Sequence, residues 1–188
     1  MTTERVSAHA RLLDMALIAL AAVLMSICAW ISIPTPAGIS FTLQTFGVFM
    51  AVGMLGGRRG TIAVVLYLLM GAVGLPVFSG CTGGIGRLAG TTGGYIVGFL
   101  FSALAMWAME RLMGKKTWVL ALSMVVGLVV CYAFGTAWFV LVYASTTGPI
   151  GVMAALSACV FPYVMPDLAK IALALTLCRR LRPILKTE

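Results

Sequence analysis

The stretch Phe161-Pro-Tyr-Val-Met-Pro-Asp-Leu-Ala-Lys170 holds an acid, a base, a tyrosine and two prolines between apolar runs. Asp167 and Lys170 are three residues apart, so on a helix they share a face. Pro166 suits a first helical turn. The spacing predicts a last helix over Pro166 to Cys178, with Asp167 at its N-terminus, where the macrodipole favours an anion. A lysine at modest depth in a membrane would bind a carboxylate, and an aspartate beside it would accept hydrogen bonds from N–H groups. The blander account is a self-neutralising salt bridge, or a lysine snorkelling to the headgroups. Ionisable groups inside a membrane are rare and usually functional, which favours a ligand site.

Other residues could complete such a site. Gln44 and Thr42 are polar enough to orient a ligand, although residues of this kind more often mark a helix start. Tyr95 and Tyr163 could stack on a ring or anchor at an interface. Thr82 is a loop hydroxyl and Arg87 a loop cation. The glycines at 80, 83, 84, 86, 90, 93 and 94, Gly84 among them, allow close backbone approach. They do not match a nucleotide-binding loop, because no soluble βα unit precedes a helix. Chemistry on covalent bonds is not indicated. The single histidine, His9, lies in the N-terminal tail, and no Ser/His, Cys/His or paired-carboxylate arrangement occurs in the spans. The five cysteines are scattered without metal-ligand spacing, so neither a metal nor a disulfide framework is assigned.

The elements that must position these residues are membrane helices. Hydrophobic residues make up 62% of the 188 and charged residues only 10%, against about a quarter charged in soluble domains. A chain this apolar is a one-domain integral membrane protein, and its long continuous runs indicate helices rather than a barrel. The net charge of +8 belongs to basic residues flanking the spans, not to a nucleic-acid surface. Helices are expected over Met15–Ile33, Thr42–Leu55, Thr61–Leu75, Tyr95–Leu112, Trp118–Ala144 and Pro166–Cys178. The prolines and glycine of 34–38 break the first, and Gly56–Gly60 forms a tight turn. The second and third helices are short for a span, so a re-entrant hairpin is an alternative. Residues 76–94 are too glycine-rich for a regular helix, and the apolar run 150–161 could span or not. Small residues Ala16, Ala19, Ala22, Ser26 and Ala29 line one face of the first helix, suited to close packing within the chain or against a partner.

Six spans put both termini on one side. Eleven of the thirteen Lys and Arg residues fall in the N-terminus, the 2–3 turn, the 4–5 turn or the C-terminus, so that side is cytoplasmic. Arg87 and Lys170 are left for the other face, with the 34–42, 76–94 and 145–166 segments.

The runs Ile33-Pro-Thr-Pro36, Phe41-Thr-Leu-Gln-Thr-Phe46, Gly56-Gly-Arg-Arg-Gly60, Gly71-Ala-Val-Gly-Leu-Pro-Val-Phe78, Gly93-Gly-Tyr-Ile-Val-Gly-Phe99 and Phe161 to Lys170 resemble the BioY family in order and over nearly the whole chain. BioY proteins are biotin-specific S components of energy-coupling factor (ECF) transporters. The resemblance implies an all-α membrane protein with six transmembrane helices in the S-component fold. Biotin is then the transported ligand. A transmembrane coupling protein and two cytoplasmic ATPases are the partners; ATP is used by the ATPases, and the chain itself holds no cofactor. The family's Pro-x-Asp-x-x-Lys element maps onto Asp167 and Lys170, with Pro166 one residue closer to the acid. The expected site assigns the ureido group to Asp167 with Thr82, and the carboxylate to Lys170 or to Arg87; the two ends could be exchanged. The family's Ala-x-x-x-Ala docking motif has no strict copy. Ala22-x-x-x-Ser26, with Ala19, is the nearest match. A stand-alone secondary transporter predicts inverted repeats, of which only the short echo Thr82-Gly-Gly84 and Thr92-Gly-Gly94 is present. An intramembrane enzyme lacks catalytic groups.

Overall fold

Inside lipid each segment must pair its own backbone N–H and C=O groups, and long uncharged runs do so as helices. The computed structural model describes residues 2–33 and 40–185. Its order is α1 (Thr2–Trp30), β1 (Ser32–Ile33), β2 (Phe41–Thr42), α2 (Gln44–Leu55), α3 (Gly57–Ala72), α4 (Ile85–Ala89), α5 (Gly93–Met113), α6 (Thr117–Thr146), α7 (Val152–Cys159) and α8 (Phe161–Leu185). Among the described residues four stretches are long and apolar enough to cross a membrane: Arg11–Trp30, Gly93–Met113, Thr117–Thr146 and Phe161–Pro183. At 1.5 Å per residue α2 and α3 reach only about 18 and 24 Å, short of the roughly 30 Å core. Leu20, Val23, Ile27, Val129, Leu141 and Leu173 are exposed on the helix exteriors, a surface suited to acyl chains.

Several boundaries differ from those expected. The tight turn at 56–60 shrinks to Gly56 (φ 81°), and Gly57 already opens α3. The Glu110 carboxylate accepts the Gly57 N–H, which caps α3 from another helix. The 76–94 segment contains the one-turn helix α4, and α5 starts at Gly93, before Tyr95. The 150–161 run forms α7, whose eight residues cannot span the core. Thr42 lies in a two-residue antiparallel pairing, Ser32 with Thr42 and Ile33 with Phe41, rather than at a helix start. The helix break expected at Pro34–Gly38 falls outside the described residues.

The largest correction concerns Pro166. It does not start the last helix; α8 begins five residues earlier, at Phe161, and Pro166 sits inside it. Pro162 occupies the first turn, where a missing N–H costs nothing. Asp167 is therefore past the first turn, and the macrodipole does not hold it; its stabilisation comes from direct donors.

The small-residue face of α1 is also reassigned. Ala22 is fully buried, and Ser26 and Ala29 are buried with it. They pack inside the fold, where α1 meets α2: a Cβ at Gly47 of α2 would stand 3.2 Å from Met25 Cα. Ala22 and Ser26 thus offer no surface for partner docking. Ala19, on the same face one turn nearer the N-terminus, is exposed.

The core is built from Met25, Phe49, Tyr67, Phe78, Met106 and Met124, all fully buried. α2 runs through its centre, packed on α1, α3 and α8. Its approach to α3 depends on Gly60, where an added Cβ would lie 2.4 Å from Val52 Cα. That neighbour is backbone and cannot swing aside. Gly60→Ala is expected to cost about 1–3 kcal/mol by overpacking, read as a thermal midpoint lowered by roughly 2–10 °C. An unchanged midpoint would refute this packing.

Candidate functional site

One end of the bundle gathers the β1–β2 pair, the 76–92 loop and α7. Asp167 and Lys170 lie beneath these segments on α8, only 3% and 7% exposed. Their ion pair is direct: Lys170 Nζ donates to Asp167 Oδ1 at 2.6 Å. The same Oδ1 accepts from Thr45 Oγ1 at 2.9 Å. Asp167 Oδ2 accepts from the Tyr132 hydroxyl of α6. Lys170 also donates to the Thr42 carbonyl at 2.6 Å, and Nζ stands 4.1 Å from the centroid of the Phe41 ring. Burying two charges is costly unless the pair is close and the remaining polar atoms are satisfied. Three donors on the acid, and an acceptor plus an aromatic face on the base, meet that condition.

The pair is one wall of a cavity. Gln44, Tyr95, Tyr163 and Arg87 also line it, with Phe99 and Ile96 as apolar walls. Gln44 is fixed by its neighbours. Its Nε2 donates to the Tyr67 hydroxyl at 2.7 Å and its Oε1 accepts from Thr42 Oγ1 at 3.0 Å. Tyr67 passes the chain on to the Val77 carbonyl at 3.2 Å. Tyr95 shares a 3.0 Å hydrogen bond with Thr136. Tyr163 stacks on Phe41, with centroids 6.4 Å apart and planes 16° from parallel.

Arg87 enters from α4. The loop that carries it is pinned at several points. Phe78 packs edge-on against Tyr67, the Gly84 N–H meets the Gly71 carbonyl at 2.7 Å, and Trp138 Nε1 donates to the Gly90 carbonyl at 3.1 Å. Arg87 Nη2 reaches Ser79 Oγ at 3.3 Å, while its buried Nε has no hydrogen-bond partner. No acidic side chain among the described residues pairs with it. The cavity therefore holds a neutralised Asp–Lys pair and an uncompensated guanidinium. It suits a ligand with a polar amide-like ring, an apolar body and an anionic group.

The residues match the BioY family over positions 1–187. A biotin transporter BioY of Thermotoga maritima is 39% identical over 161 residues, 86% of this chain and 90% of that protein. A probable biotin transporter BioY of Pyrococcus horikoshii is 34% identical over 169 residues, covering 90% and 96%. The chain belongs to the BioY family. Among solved structures, the S-component for biotin from an ECF-type ABC transporter superposes with a TM-score of 0.80 at 25% identity, covering 93% of both chains.

In this BioY-family chain the cavity brings together seven residues singled out from sequence: Thr42, Gln44, Arg87, Tyr95, Tyr163, Asp167 and Lys170. Two stand outside it. Thr82 is exposed and turns its hydroxyl to the Ser79 carbonyl at 2.9 Å. Gly84 holds a φ of 96° at the start of α4 and is not among the residues that line the cavity. Sequence reasoning missed Thr45 and Tyr132, the two hydroxyls that hold Asp167. Tyr132 carried a signal: a phenol in the middle of the apolar α6 needs a partner once dehydrated. Phe41 was visible only as part of a motif. Its role under the Lys170 ammonium needs the β1–β2 pair, which no periodicity announces.

Proposed function

We propose that this chain is the biotin-binding S component of an ECF-type transporter, taking biotin from the outer face for ATP-driven uptake. The observation that carries the reading is the unequal charge of the cavity, a balanced Asp167–Lys170 pair together with Arg87, which has no acidic partner among the described residues. Biotin has a ureido ring with two N–H donors and a carbonyl, an apolar thiophane and valeryl chain, and a carboxylate. Asp167 accepts from the ureido N–H groups, and Lys170 and Gln44 donate to its carbonyl. The biotin carboxylate goes to Arg87. At Lys170 it would meet the Asp167 carboxylate 2.6 Å from the ammonium, and like charges so close oppose each other. Tyr95 and Tyr163 flank the rings. The family identity and the likeness to a biotin S-component structure support the ligand.

In this reading α1, α2, α3, α5, α6 and α8 are the six spans, with α2 and α3 short, and α4 and α7 cover the outer end. Both termini are cytoplasmic, by the excess of Lys and Arg at that end. The chain has no enzymatic step and no cofactor. A coupling protein and two ATPases supply the energy, and the exposed side of α1 around Ala19 is left for a partner helix.

Vesicles test the division of labour. The chain alone is expected to bind biotin without accumulating it. Co-reconstitution with a coupling protein and two ATPases is expected to give ATP-dependent uptake. Concentrative uptake by the chain alone would instead make it a secondary transporter.

A further inference from the structure

The bundle end opposite the candidate site carries a second, larger cavity of about 590 Å³. Five helix ends converge on it: the last residues of α2, the first of α3, the end of α5, the start of α6 and the end of α8. Among the described residues of its lining, four cations, Arg59, Lys115, Arg179 and Arg182, face one acid, Glu110. These charges are not equally available. Arg59 is paired with Asp14 at 2.9 Å, and Lys115 leans on Glu110 at 3.6 Å. Glu110 is itself occupied by the Gly57 N–H. Arg182 donates Nε to the Gly53 carbonyl at 2.5 Å, which anchors the guanidinium, and it has no acidic partner among the described residues. Arg179 has no acidic partner among the described residues.

Two further features select the ligand. Thr117, the first residue of the thirty-residue α6, lines the cavity, and α6 has no side-chain cap. Its leading N–H groups and positive dipole end therefore favour an anion. Beside the cavity, Leu112, Met113 and Trp118 are exposed at the α5–α6 turn, Leu112 to 84%. A small soluble anion would satisfy the arginines but leave that apolar rim bare. An amphipathic anion satisfies both.

We propose that this cavity holds the phosphate headgroup of an anionic phospholipid, with Arg179 and Arg182 on the phosphate and the acyl chains along Leu112 and Trp118. The proposal rests on the chain spanning a membrane and is independent of the biotin assignment. Bound lipid would tie the start of α6 to the end of α8, the two helices that supply Tyr132 and the Asp167–Lys170 pair.

Native mass spectrometry of the full chain, released from nanodiscs holding equal phosphatidylglycerol and phosphatidylcholine, measures the preference. Each cation near a membrane surface contributes about fivefold toward an anionic lipid. Wild type is expected to retain phosphatidylglycerol preferentially. The double variant R179Q/R182Q is expected to lose on the order of twentyfold of that preference, and R179K/R182K to keep most of it. Biotin binding, measured on the same samples, reports folding and stands or falls separately. If the glutamine pair does not fold, Lys115→Gln, a milder change at the same wall, is expected to lose about fivefold. Equal retention of both lipids by wild type overturns the proposal, as does an undiminished preference in the folded variants. Competition equal to phosphatidylglycerol by inorganic phosphate or glycerol phosphate overturns the lipid as the source.

Discussion

Asp167→Asn and Lys170→Met are each expected to weaken biotin binding by at least about 100-fold, or roughly 2.7 kcal/mol. Hydrogen bonds to charged groups contribute about 1.5–3 kcal/mol each, and each substitution removes one ligand contact and disorders another. Without Asp167 the ammonium keeps only the Thr42 carbonyl and the Phe41 face. Without Lys170 the carboxylate keeps Thr45 and Tyr132 but loses its counter-charge. Removing one partner of a buried pair leaves a dehydrated charge and costs about 3–5 kcal/mol, while removing both costs far less. Stability and binding should therefore part company. The double variant Asp167→Asn/Lys170→Met is expected to unfold at a higher temperature than Lys170→Met alone, yet to bind biotin no better. Thermal midpoints with matched binding isotherms check this. Wild-type affinity in both single variants would remove the pair from the site.

Arg87→Gln is expected to weaken biotin binding by about 10- to 150-fold, the loss of one charge-assisted hydrogen bond. The diagnostic comparison is biotinamide, in which the carboxylate is neutral. Wild type should prefer biotin over biotinamide by a similar factor. Arg87→Gln should bind the two alike, with little change for the amide. The fold should tolerate the change, because Arg87 has one 3.3 Å side-chain bond, an orphan Nε and no ion pair among the described residues to lose. If Lys170 holds the carboxylate instead, Arg87→Gln leaves biotin binding intact and Lys170→Met erases the preference for biotin over its amide.

Much of the fold could be read from residues alone, for identifiable reasons. Uncharged runs and the missing polar surface declare membrane helices, because dehydrated backbone has few alternatives. Lys and Arg mark the ends, as at Arg58–Arg59 and Lys115–Lys116. Proline was less informative. Pro162 and Pro166 both suit a first turn, and only packing shows that α8 begins at Phe161 and carries Pro166 inside. The site divides in the same way. Asp167 and Lys170 are conspicuous because charge is scarce in such a chain. Their partners come from 122 residues away for Thr45, 35 for Tyr132 and 128 for the Thr42 carbonyl. No local spacing encodes those contacts. Ala22 and Ser26 teach a related lesson. A small-residue face states that a helix comes close, not which helix, and here it is α2 of the same chain.

Titration of biotin into the purified chain, without partner subunits or nucleotide, tests the central claim most directly. The account predicts saturable binding of one biotin per chain, with an anionic-group preference that vanishes in Arg87→Gln and an affinity that collapses in Asp167→Asn. Absence of saturable binding by the folded wild-type chain would contradict it.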